Sequence, residues 1–280
     1  MQLYACDQKN QLIFAGNASK QFDYYCLECR QLVRRRSGLH RRAHFYHLAL
    51  SSACRLNQKT LAHLQVQWKL QQLLPSGECH LEHRFPDINR IADVYWDAKG
   101  IVFEIQCSPI SALEIKSRNE DYAKKGIQVV WILHDERYNK KRLTEAELFL
   151  RSSPFYFTNI DANGKGIIYD QFDTIQNGYR ELRSPSLAID PTTPMPTSSL
   201  MKQKAEWPFL LVLRTKEWKT FFPGDLMDIC LNSADLPAFL KQAREEELKT
   251  ELPFYKNIIN HLIIRPYNLL FQIILEKACK

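Results

Sequence analysis

Residues 90–109, RIADVYWDAKGIVFEIQCSP, constrain the fold more than any other stretch, because each of two apolar runs of strand length carries a single acid. With Asp97 to Gly100 as the loop, the runs form a hairpin in which Trp96 faces Ile101, Tyr95 faces Val102, Val94 faces Phe103 and Asp93 faces Glu104. Directly opposed residues of an antiparallel pair hold their Cβ atoms about 4.5–5.5 Å apart, and like charges there are destabilising. Something must offset the repulsion. A proton retained by one acid would do so, because two carboxylates sharing a site push one pKa upward. A divalent cation would also do so, because Mg²⁺ is commonly held by one or two carboxylates. Gln106 lies two residues beyond Glu104 and so joins the same sheet face. The competing reading is the solvent side of an amphipathic hairpin, against which Tyr95 and Val102 on that face argue.

The flanking segments supply the rest of an α/β unit. From Asn57, a suitable N-cap, to Leu74 the chain has no Gly or Pro and places Leu61, Leu64 and Trp68 at helical spacing. A strand is expected over 78–85, ahead of the hairpin. A second helix follows it, with Ser108 as N-cap, Pro109 at its first position and Gly126 just past its end. IQVVWIL, residues 127–133, then reads as a buried strand. The order helix, strand, strand, strand, helix, strand predicts one mixed α/β sheet whose last pair is parallel, joined by a right-handed crossover. Weaker strand signals continue at FYFTNI and GIIYDQF.

Residues 1–55 hold short strand-like pieces and form a first unit, with the α/β unit over 56–183. The proline-rich stretch 184–202 reads as a linker. Residues 203–280 look helical, with Pro266 interrupting the last helix and Trp207, Trp218, Phe221 and Phe222 expected to build a separate apolar core. No window approaches the length of a membrane span, and the start lacks a basic region followed by an apolar run, so a cytoplasmic protein is expected.

Net charge is +7, unevenly spread: residues 30–42 (RQLVRRRSGLHRR) carry six arginines and no acid, which suits a polyanion or a solvated loop. The block sits between Cys26-x₂-Cys29 and His44-x₂-His47. Two thiolates and two imidazoles satisfy tetrahedral zinc, on a knuckle and not a helical finger, with Cys54 or His40 able to replace one ligand. The chain has eight cysteines; without a secretory signal they read as thiols or metal ligands and not as a disulfide framework. A metal-closed unit would present Arg34, Arg35, Arg36, Arg41 and Arg42 on the loop between the ligand pairs, as phosphate contacts.

IADV, FEIQCSPIS and the downstream Arg118 and Tyr122 in RNEDYAKKGIQVVWIL together resemble the nuclease-like core of the competence protein CoiA family, a branch of the restriction-endonuclease-like PD-(D/E)xK superfamily. The CxxC followed by HFYH resembles the same family. The resemblance spans roughly 20–135 and implies a restriction-endonuclease-like sheet with a zinc-bearing N-terminal unit. It implies DNA processing in competence, transformation and recombination, with single-stranded or branched DNA as substrate and competence or recombination proteins as partners. Asp93 and Glu104 would hold Mg²⁺ or Mn²⁺, Glu82 would be an additional acid, and Gln106 stands where the superfamily has lysine. Pro86-Asp87 also fits the superfamily name, but the hairpin register favours Asp93.

Glutamine cannot supply a positive charge, so Lys69 or Lys116 is a candidate substitute. The first helix lacks the superfamily's usual acid, and His63 there is a phosphate or metal contact or a structural histidine. Arg118 and Tyr122 share a helix face with Glu114. They would touch phosphate and a base, or else form an intrahelical ion pair and a core-edge ring. The glutamine also keeps a second reading open, a catalytically weak DNA-binding or recombination-loading factor on the same fold.

Overall fold

The computed structural model describes residues 1–39, 41–49, 54, 56, 59–197, 207–232 and 235–259. The chain opens with β1 (Tyr4–Cys6), β2 (Leu12–Phe14), β3 (Asp23–Tyr25), β4 (Leu32–Gly38) and β5 (Arg41–His47), which form an antiparallel sheet in the order β2-β1-β3-β4-β5. Along β4 burial alternates, with Val33 inward and Arg34 outward. Strand periodicity of two produces this pattern. The inward face packs Tyr24, Cys26, Leu27, Val33, Phe45 and Cys54 into a small core of its own.

Helix α1 (Leu61–Leu73) follows, capped by the Thr60 hydroxyl, which accepts from His63 N. The expected cap, Asn57, lies outside the described residues. Next come β6 (Cys79–Phe85), β7 (Arg90–Trp96), β8 (Ile101–Gln106), α2 (Ala112–Ala123) and β9 (Gln128–His134). The hairpin loop is the expected one: Val94, Tyr95 and Trp96 pair with Phe103, Val102 and Ile101, and Gly100 turns the chain at φ 61°. The β8–β9 pair is parallel, as the intervening helix requires. Helix α2 starts three residues later than Ser108 would place it, because Ser111 caps it by accepting from Glu114 N. This is the Ser-x-x-Glu start signal, and it leaves Ser108–Ile110 outside the helix.

Helix α3 (Glu145–Leu150), β10 (Phe155–Thr158) and β11 (Ile168–Asp170) continue the chain, followed by a β12 (Asp173–Gln176) and β13 (Tyr179–Arg183) hairpin, then β14 (Leu187–Ala188) and β15 (Met195–Pro196). The large sheet is mixed, seven strands in the order β14-β11-β10-β9-β8-β7-β6. The 184–202 stretch is therefore not all linker: β14 pairs with β11, and β15 pairs with β16 (Thr220–Phe221).

The C-terminal region brings α4 (Phe209–Glu217), α5 (Leu226–Asn232) and α6 (Ala238–Ile259); Pro266 and the residues from 260 onward lie outside the described ones. The aromatic residues expected to form a separate core instead cover the large sheet. Phe103 on β8 and Tyr156 on β10 are buried under Phe222, which packs on both at ring separations of 6.0 and 5.7 Å. Phe103 neighbours Glu104 along the strand, so this cover lies on the face opposite Glu104. A buried Arg214–Asp170 pair at 2.8 Å and a Tyr156 hydroxyl donating to Asp225 at 2.8 Å fasten it. Replacing Phe222, which is fully buried, with alanine should cost about 3–5 kcal/mol. Denaturant unfolding should then show one shifted transition, whereas a separate C-terminal domain would melt alone.

Candidate active site and metal cluster

Strands β7 and β8 separate where the two acids stand. Ladder pairing ends at Val94↔Phe103, and one residue further Asp93 Oδ2 accepts the Ile105 backbone N–H at 2.9 Å. The carboxylate thus stands in for a strand carbonyl. Its other oxygen accepts from Lys59 Nζ at 2.8 Å and His63 Nε2 at 3.0 Å. Glu104, 1 % exposed, accepts from the Tyr122 hydroxyl and from Arg118 Nη1, each at 2.7 Å. The repulsion foreseen between the acids is offset by the protein's own donors.

These surroundings split the two carboxyls. Burial disfavours both ions, but His63 and Lys59 outweigh it at Asp93 and hold that group well below the ordinary carboxylate range. At Glu104 burial wins over Arg118, and Asp93 adds to it, so this carboxyl titrates above its usual value. For Lys59, burial is overcome by Asp93 and Glu82, and the ammonium is retained. Burial lowers the His63 imidazole, and a neutral ring must carry its proton on Nε2 to donate to Asp93.

A cavity of about 330 Å³ opens beside Asp93, with Lys59, His63, Gln106, Ser108 and Arg118 in its walls. That is the lower end of the range for small-molecule pockets. The Gln106 amide donates to Ser108 O at 2.7 Å and does not contact either acid in the hydrogen bonds found among the described residues. The lysine that enters the site is Lys59. Lys116 is exposed and faces Glu120, and Lys69 is exposed on α1. Nothing in the local pattern marks Lys59, which precedes the helix cap and reaches strand residues far away in sequence. Glu82 lies outside the cavity wall: Oε1 accepts from Lys59 at 3.1 Å, while Oε2 accepts from Leu3 N and Tyr4 N, each at 3.1 Å. It therefore holds the lysine and the first strand together. Asp87 is exposed and pairs with Lys125.

Arg118 bonds Glu114 at 2.9 Å as well as Glu104, and Tyr122 is fully buried with its ring against Phe85. No face of Tyr122 is open for a base; it and Arg118 both donate to Glu104, and Arg118 also lines the cavity. Arg34, Arg35, Arg36, Arg41 and Arg42 lie on the β4–β5 hairpin and not on an irregular loop between ligand pairs. Arg34 pairs with Asp23 at 2.7 Å, Arg35 donates to Ala15 O, Arg36 is exposed, and the Arg42 guanidinium lies 4.8 Å from the Trp68 ring centre. Nothing is described of the Arg41 side chain.

Cys26, Cys29, His47 and Cys54 bring one ligand atom each within 4.8 Å of one another. His44 is not among them. On a strand, residues three apart face opposite ways, so His47 points to the cluster beside Val33, while buried His44 sits across from Arg36 with Nδ1 2.9 Å from Arg42 O. Cys54 takes the fourth place; His40 lies outside the described residues. Tetrahedral zinc with ordinary bond lengths sets sulfurs about 3.8 Å apart and sulfur to nitrogen about 3.6 Å. Cys26 and Cys54 sulfurs are 3.6 Å apart, and Cys29 Sγ to His47 Nε2 is 3.3 Å. The Cys₃His cluster could bind zinc with little rearrangement.

A mixed α/β unit with two buried acids at a strand opening is preceded by a small β unit whose Cys₃His cluster could bind zinc. Residues 59–172 match the family model described as competence protein CoiA, nuclease-like domain, and residues 7–57 match competence protein CoiA, N-terminal domain. The chain belongs to the competence protein CoiA family, and that membership supports a competence-related function. No curated protein and no solved structure matches it. No helix among the described residues is long and apolar enough to cross a membrane.

Removing one partner of a buried ion pair leaves an uncompensated charge, so Arg118→Ala should lower stability by about 3 kcal/mol at pH 8. Glu104 binds its proton more tightly folded than unfolded. Its contribution is therefore most favourable below the ordinary Glu range and falls as pH rises through the raised value. Without Arg118 that rise is larger, so the deficit should shrink toward pH 5 in urea denaturation of the two proteins.

Proposed function

We propose that the protein is a cytoplasmic DNA-processing factor that cleaves phosphodiester bonds in the cavity beside Asp93. The observation that carries this reading is Lys59, which brings an ammonium to within 2.8 Å of Asp93 and supplies the positive charge that glutamine at 106 lacks. Asp93 and Glu104 would hold Mg²⁺ or Mn²⁺, and a divalent ion there would supply Lewis acidity toward the phosphate and activate a water. Two carboxylates suit such an ion, which keeps its remaining positions for water and phosphate oxygens. Lys59 would stabilise charge developing on the phosphate, and Arg118 would hold Glu104 in register. A cavity of about 330 Å³ is narrow for a duplex, which favours single-stranded or branched ends. Exposed Arg36 would add a salt-sensitive phosphate contact.

The second reading is a DNA-binding or recombination-loading factor that keeps the fold without cleavage. It is favoured by both carboxylates already being engaged by Lys59, His63, Arg118 and Tyr122. Labelled single-stranded, duplex and branched DNA, incubated with and without Mg²⁺ or Mn²⁺, separates the two. Cleavage should require the metal, vanish in Asp93→Ala and Glu104→Ala, and fall about 10²–10³-fold in Lys59→Met. Binding without cleavage by the parent protein would establish the second reading instead.

Zinc would close the N-terminal unit through Cys26, Cys29, His47 and Cys54. Elemental analysis should find one zinc per chain. The metal should be lost in Cys54→Ser and kept in His44→Ala; the reverse pattern would restore His44 as the ligand.

A further inference from the structure

The N-terminal cluster and the Asp93 cavity are joined by two sets of contacts. In the first, Arg84 Nη1 donates at 2.6 Å to the carbonyl of Leu27, inside the Cys26–Cys29 turn. Arg84 pairs with Ile91 across β6 and β7, and Ile91 both lines the cavity and packs on the N-terminal core. In the second, Glu28 Oε2, from the same turn, accepts from Cys54 Sγ at 3.4 Å and from Leu56 N at 3.2 Å. Leu56 is another wall of the cavity, and Lys59 follows Cys54 by five residues.

Lys59 precedes the Thr60 cap and is not part of α1. The Lys59 carbonyl accepts from the Met1 ammonium at 3.3 Å, and the same ammonium donates to Leu56 O at 3.0 Å, so the Lys59 backbone is tied to the N-terminal unit. The side chain depends on the same unit. Glu82, one of its two carboxylate partners, is held by Leu3 N and Tyr4 N at the entry to the first strand. Thiol contacts of 3.3–3.6 Å tie the chain at 26–29, 47 and 54 only weakly. Four metal–ligand bonds would tie the same points firmly.

We infer that metal occupancy of the Cys₃His cluster sets the position of Lys59 in the Asp93 cavity. The N-terminal unit then acts as a positioning element for the site behind it, besides carrying surface arginines. The inference draws its functional weight from the proposed cleavage, but its test reads side-chain accessibility, so the two fail separately.

The full chain is purified with zinc, and part of it is stripped by a chelator and then reloaded. Each form is treated briefly with an amine-acylating reagent, with Lys59 followed by peptide mass spectrometry and exposed Lys116 as internal reference. Amide exchange of β9 is measured in parallel to report the core of the large sheet. Lys59 should react about tenfold faster in the stripped protein and return to its slow rate on reloading, while β9 stays protected. Equal Lys59 reactivity in the two forms overturns the inference. Exposure of Lys59 only together with loss of β9 protection also overturns it, because the metal would then hold the whole fold, and so does a protein that takes up no zinc.

Discussion

One buried ammonium, that of Lys59, balances Asp93 and Glu82 at once, and the arrangement of two structural units follows from it. Taking three charges out of water is costly, and their mutual attraction repays this only where geometry is close and the remaining lone pairs find donors. Here they do: Asp93 also takes Ile105 N and His63, and Glu82 takes Leu3 N and Tyr4 N. The first strand, the segment ahead of α1 and the opening of the β7–β8 ladder are therefore fixed together. Sliding the N-terminal sheet across β6 would strand a buried carboxylate, so orientation is specified more strongly than apolar contact alone would specify it.

The two central acids have unequal roles. Asp93, held by the Lys59 ammonium and the His63 ring, stays ionised, whereas Glu104, walled in by β8, β9 and α2, is pushed toward its neutral form. A divalent ion of the kind proposed would compete with Lys59 and Arg118 for the same oxygens, and its affinity would depend on the arginine and lysine as well as on the acids. The Glu114 carboxylate beside Arg118 offers that arginine a second partner whenever Glu104 is taken.

Much of this was legible in the sequence, because it was written locally. The Asp97–Gly100 loop set the register from Trp96↔Ile101 to Val94↔Phe103, beyond which the strands part at Asp93, and helix punctuation around α2 forced β8 and β9 to run parallel. What was not legible depends on distant partners. Lys59 has no spacing relation to Asp93, and aromatic content in 207–222 cannot say which sheet face it covers. The His44 assignment had a readable counter-signal: in a strand, two histidines three apart cannot both face one ion. Ser111-x-x-Glu114 likewise competed openly with Ser108-Pro109, and the serine whose side chain caps the Glu114 N–H prevailed.

The match to the nuclease-like domain ends at residue 172, yet two residues earlier Asp170 takes the Arg214 guanidinium and the Leu226 N–H. Phe103 and Tyr156, deep inside the matched span, find their cover in Phe222. The limit of family likeness is thus not a seam in the folded object. An excised fragment ending there would bare aromatic rings and orphan a carboxylate, and would be prone to self-association before any chemistry could be assayed.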